Sequence, residues 1–155
     1  MIYNDETLLN NKVSESEVQK IVEKYGKAFK ESRLNPSQEL EYGQVLLQSP
    51  FEQDLFIAIT IFEELIRNRR NELNMVLEYY VGLIIGFMKV KKFEDAIMKL
   101  DLCRQLIHLN IEQENRLKML ENRIQNRNRS FFWAAASFVA GVGAIALMVF
   151  SGKKS

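Results

Sequence analysis

Residues 131–150 read FFWAAASFVAGVGAIALMVF, twenty consecutive positions without a charge and with Ser137 as the only hydroxyl. A helix rises about 1.5 Å per residue, so a run of this length crosses a hydrocarbon core of about 30 Å. Nine of the twenty are Phe, Ile, Leu or Val. At roughly −0.3 to −0.6 kcal/mol each they favour insertion by about 3–5 kcal/mol, while the many Ala and Gly add little. An amphipathic core helix would show polar residues at helical spacing, and this run shows none. A moderate transmembrane helix is therefore expected.

Its surroundings suggest a topology. Only SGKKS follows, and the first dozen residues, MIYNDETLLNNK, hold no signal-peptide core. The expectation is a tail anchor, with everything before about residue 130 in the cytosol. Trp133 suits the interface, and basic residues flank the run at Arg123, Arg127 and Arg129 before it and at Lys153 and Lys154 after it. Ser137 with Gly141, and Ala136 with Ala140 and Ala144, form small-xxx-small pairs that can pack two spans together as a homo-oligomer.

The remaining roughly 130 residues suit one domain. All 20 acidic residues lie there with 19 of the 21 basic ones, a near-neutral balance that argues against nucleic acid as a partner. A small basic cluster, Arg67, Arg69 and Arg70, reads as a solvated helix end. The single Cys103 excludes an internal disulfide, and the single His108 excludes a histidine-based metal cluster. Cys103 falls on the apolar stripe of its helix and reads as packing, His108 as a helix-end charge. No phosphate-binding glycine loop or catalytic triad assembles. The chain is not expected to be an enzyme, and neither cofactor nor metal is expected.

Hydrophobic periodicity is helical throughout. Residues 1–12 carry none and read as a flexible N-terminal arm, with Ile2, Tyr3, Leu8 and Leu9 able to dock. A capping box at Ser14 and Glu17, with Val13 and Val18 as the staple, opens a first helix that ends before Asn35 and Pro36. Asn35 caps a second helix with Pro36 in its first turn. A third runs over about 54–67, a fourth carries the stripe Tyr80, Leu83, Ile84 and Phe87, a fifth runs over about 93–107, and a sixth over about 111–128 leads toward the apolar run. Short connections imply antiparallel hairpins. The pairs recur near the 34-residue period of tetratricopeptide repeats, with Gly43 expected against Ala58 and Gly86 against Ala96. The fold class is thus all-α: a six-helix bundle with two tetratricopeptide-like repeats over 13–128, a transmembrane helix over 131–150, and a short basic tail over 151–155.

Three segments, 42–49 (YGQVLLQS), 54–65 (DLFIAITIFEEL) and 86–97 (GFMKVKKFEDAI), followed by a basic-flanked apolar run, resemble the mitochondrial fission 1 protein family in order and spacing. The resemblance covers about 37–155. Gly82 stands where that family usually has an aromatic residue, and His108 stands near its usual repeat-ending proline. The resemblance implies a tail-anchored adaptor of the mitochondrial outer membrane, and also of peroxisomes, whose cytosolic domain recruits a dynamin-related GTPase or its adaptor proteins for organelle fission. The alternative class is a tail-anchored Bcl-2-like regulator of apoptosis or membrane permeability, which calls for a central hydrophobic hairpin that the sequence does not show.

In tetratricopeptide repeats the first helix of each pair lines a concave face. The positions between the packed residues then form a partner-binding groove: Leu40, Gln44, Leu47 and Gln48 in the first repeat, and Val81, Ile85, Met88 and Lys89 in the second. Five of these eight are apolar, and an apolar surface of that kind marks either a contact site or a surface covered by the arm or the last helix. Lys153 and Lys154 are the expected targeting residues.

Two substitutions test the anchor. Ala140→Lys adds about 2.5–3.5 kcal/mol at mid-span, most of the available insertion energy, and should make the protein extractable by carbonate. Replacing Lys153 and Lys154 by Ser should move the protein from mitochondria toward the endoplasmic reticulum, read by imaging of a tagged copy.

Overall fold

The computed structural model describes residues 4–10, 12–68 and 73–151, with the backbone alone for 73–74 and 132–151. The described residues form seven α-helices and no strand: α1 (Asp5–Asn10), α2 (Glu15–Lys30), α3 (Pro36–Leu46), α4 (Glu52–Asn68), α5 (Leu73–Lys89), α6 (Phe93–Leu106) and α7 (Ile111–Ser151). The protein is all-α. Arg69 and Arg70 of the basic cluster, and Lys153 and Lys154, lie outside the described residues.

Local chemistry sets the helix starts. Ser14 accepts from the Glu17 N–H while the Glu17 carboxylate accepts from the Ser14 N–H, the reciprocal box expected from the sequence. Asn35 does the same with Gln38, and Pro36 occupies the first turn of α3. A third reciprocal pair, Asn110 with Gln113, opens α7. The helix that carries Leu117, Leu120 and Ile124 continues as one element into the apolar run. Among the described residues no helix is long and apolar enough to cross a membrane; the side chains beyond Phe131, which hold most of the run, lie outside that statement.

Consecutive helices pack on one another from α2 through α7, and α5 also meets α3 and α1. Tyr25 and Phe29 of α2 close on Tyr42 of α3, with ring centroids 6.0 and 5.9 Å away. One apolar cluster runs through the domain and includes Leu46, Phe62, Leu83, Ile84 and Leu100.

Two expectations require correction. The arm over 1–12 contains a helix: Leu8 and Leu9 of α1 are buried at 1% and 5% exposure and belong to the same cluster as α5 and α7. They supply the apolar area that a six-residue helix needs to persist, because so short a helix is not stable alone. The small-residue pairing is also different. A Cβ on Gly86 would have Ile59 and Leu47 as its nearest neighbours, and one on Gly43 would meet Phe62 and Ile61. The glycines of α5 admit α4 side chains rather than Ala96.

The closest approach is at Gly82, where a Cβ would lie 2.3 Å from the Phe62 ring. Phe62 is fully buried and occupies the space that an aromatic side chain on α5 would otherwise claim. Gly82→Ala should therefore force the ring or the helix aside and lower stability by about 1–3 kcal/mol, read as a lower melting temperature of a chain ending at residue 128. An unchanged melting temperature would contradict the Phe62–Gly82 packing.

Candidate functional site

The candidate groove residues lie on α3, on the two residues after it, Leu47 and Gln48, and on α5, and the surface they form is not open. Leu40, Gln44, Leu47, Gln48, Val81, Ile85 and Met88 are all at most 3% exposed. Only Lys89 is half-buried. The apolar members share their cluster with Leu8 and Leu9 of α1 and with Leu117, Leu120 and Ile124 of α7. Of the two readings the sequence leaves open for these residues, a free contact surface or a covered one, their burial agrees with the second. Sequence periodicity groups residues by helix face, but it cannot say which remote segment lies on that face.

Polar groups in this interior are bonded. Gln48 donates from Nε2 to the Gln44 carbonyl at 3.1 Å. Gln48 in turn accepts at its backbone carbonyl from the Val13 N–H at 3.1 Å, which ties the segment after α1 to the end of α3. Lys89 donates from Nζ to the Leu47 carbonyl across the ends of α3 and α5.

The cover is held by a charged clamp that periodicity did not reveal. Arg116 of α7 engages Asp5 of α1 through Nε and Nη2 at 2.8 and 2.6 Å, and Glu78 of α5 through Nη1 and Nη2 at 2.6 and 2.9 Å. One guanidinium thus joins three helices with paired, charge-assisted bonds. The hydrogen bonds it donates to Asp5, and then those to Glu78, raise its proton affinity against the cost of burial. Arg123 makes a further pair with Glu6. No signal within α1 or α7 alone indicates this arrangement, since Asp5 and Arg116 are 111 residues apart.

A cavity of about 580 Å³ remains where the cover ends, between the residues after α1, the α3–α4 connection, the C-terminal end of α5 and the stretch of α7 that enters the apolar run. Met88 and Lys89 are the only two predicted groove residues that line it. Burial, then Arg127 and Lys12, push the Lys89 ammonium down to about 8. Cys103 is fully buried, and burial pushes its thiol up to about 12, which leaves it protonated and unreactive at neutral pH. His108 is exposed in the connection after α6.

No protein-family model matches this chain, and no curated protein matches it.

The burial of Ile85 has a direct consequence. Ile85→Glu should place an unpaired carboxylate in the interior and unfold the domain, with circular dichroism showing a lost or sharply lowered transition. Preserved helicity and melting in that variant would mean that the α5 face is open in solution.

Proposed function

We propose that this protein is a tail-anchored adaptor on an organelle surface, whose helical-repeat domain recruits cytosolic partners for mitochondrial or peroxisomal fission. The observation that carries the reading is the combination of two successive helix pairs, α3–α4 and α5–α6, with an uncharged run of twenty residues continuing from the last helix. The pairs are read as tetratricopeptide-like repeats and the run as the membrane span. The resemblance to the mitochondrial fission 1 family supplies the partner class, a dynamin-related GTPase or its adaptor proteins, and the outer mitochondrial membrane as the location. Lys153 and Lys154 serve targeting in this reading.

The covered groove sets how recruitment works. A partner segment that docks on Val81, Ile85 and Met88 has to displace α1, and α1 is the cheapest cover to remove. It is six residues long and is held by two leucines and by ion pairs from Asp5 and Glu6. A short helix with so few contacts lies at the low end of local opening free energies. The groove is then occupied by the arm at rest and by the partner when recruited.

Asp5→Ala removes one half of the Arg116 clamp. Hydrogen bonds to charged groups contribute about 1.5–3 kcal/mol, so α1 should open about ten- to a hundredfold more often while the rest of the domain stays folded. Faster amide exchange confined to α1, together with greater recovery of the dynamin-related GTPase or its adaptors from cytosol, is expected. Faster exchange with no added recovery would place the binding surface elsewhere.

A further inference from the structure

The cavity at the end of the cover has a chemistry of its own. Lys12, Lys89, Lys91 and Arg127 line it, and no acidic residue does. Its apolar wall is Leu9, Leu55, Met88, Phe93 and Phe131. Four cations beside an apolar wall, in a space of about 580 Å³, match a ligand with an anionic head and an aliphatic body.

Two further observations bear on that occupant. Phe131 is the first residue of the apolar run; its ring lies 6.1 Å from Phe93 and has the Lys91 ammonium 5.6 Å from its centroid. The cavity therefore adjoins the segment read as the membrane span, where the surrounding solvent would be phospholipid. Lys91 also sits at φ 61°, in the left-handed region that disfavours side chains. It terminates α5, with the Lys92 N–H reaching back to the Phe87 carbonyl at 2.9 Å, a position where glycine is the least strained residue. A lysine there adds a cation to the cavity at the expense of the helix end.

We propose that this cavity binds an anionic phospholipid, with the phosphodiester against Lys12, Lys89, Lys91 and Arg127 and part of an acyl chain against Leu9, Leu55, Met88, Phe93 and Phe131. The choice of a bilayer lipid over free phosphate rests on the membrane-anchor reading above and on the apolar wall, which a free phosphate leaves unused. Burial first, and then Arg127 and Lys12, lower the affinity of Lys89 for its proton, and no carboxylate lines the cavity to oppose them. A bound phosphodiester supplies the missing negative charge, so lipid binding should be accompanied by proton uptake near pH 8–9.

The test uses the full chain in neutral detergent micelles, with dioctanoyl phosphatidylglycerol, dioctanoyl phosphatidylcholine and inorganic phosphate as separate probes. The methyl resonance of Met88 reports occupancy. Saturable shifts with phosphatidylglycerol, weak or none with phosphatidylcholine, and no competition by millimolar phosphate are expected. Lys12→Gln and Arg127→Gln should each weaken binding about fivefold, the effect of one cation near an anionic surface. Lys118→Gln, on the exposed side of α7, should leave it unchanged. Lys91→Gly should weaken binding while leaving the melting temperature unchanged or raised, an outcome that loss of folding cannot imitate. Calorimetry at pH 8.5 in two buffers of different ionisation enthalpy should show the proton uptake.

Equal binding of inorganic phosphate, or equal binding of both lipids, would overturn the proposal, as would displacement of the lipid by an acidic peptide at equal charge. Carbonate extraction of the same chain from phosphatidylcholine vesicles separates the two readings. A chain that stays in the vesicles while Met88 ignores phosphatidylglycerol refutes the lipid site alone. A chain that is extracted while Met88 responds refutes the anchor alone and leaves the lipid site standing.

Discussion

The packing of α4 onto α5 is the contact on which the rest of the structure depends. Two glycines one turn apart, Gly82 and Gly86, remove side chains from one strip of α5, and Phe62 and Ile59 of α4 fill it. That close approach leaves the other faces of α5 to α6, α3 and α1. From Val76 to Met88 nearly every α5 residue is buried as a result. A helix that is apolar nearly all round belongs in the middle of a domain, because any exposed face would put apolar area back in water. The helices before and after α5 then have their positions set by which of its faces they cover.

The same crowding explains the cover. Val81, Ile85 and Met88 are buried in the apolar cluster that runs through the domain. Leu8, Leu9, Leu117, Leu120 and Ile124 join their cluster. Hydrophobic burial supplies the attraction but little direction. Direction comes from Arg116 of α7, whose planar fork meets Asp5 of α1 and Glu78 of α5 together and so ties the three helices at one point. The clamp is only partly buried, so its partners remain near enough to water for α1 to leave without stranding a charge in an apolar interior. A covering element that must come off for recruitment is suited by such a joint.

Where the cover stops, the balance of charge changes. Arg116 has carboxylate partners, whereas Lys12, Lys89, Lys91 and Arg127 line a cavity with no carboxylate in its wall. Lys89 bonds the Leu47 carbonyl there, but the like charges repel and burial weakens the ammonium's hold on its proton. The left-handed Lys91 adds to the same local cost. Unfavourable electrostatics and backbone conformation at one place, beside the beginning of the apolar run, distinguish this end of the domain from the rest of its surface.

Sequence alone determined the all-helical class, most helix boundaries and the apolar run, because these follow from short-range chemistry. Ser14 with Glu17 and Asn35 with Pro36 act within a few residues, and a period of 3.6 is visible without knowing what lies opposite. It also grouped Leu40, Leu47, Val81, Ile85 and Met88 onto common faces. Tertiary structure alone decided what those faces meet. Gly86 lies against Ile59 and not Ala96, because the register between two helices depends on the shapes of both. The arm is helical and buried because Leu8 and Leu9 find partners far along the chain, and Asp5 finds Arg116 across 111 residues. No local pattern carries that information: a six-residue stretch with two leucines has the same sequence whether or not an apolar face is waiting for it.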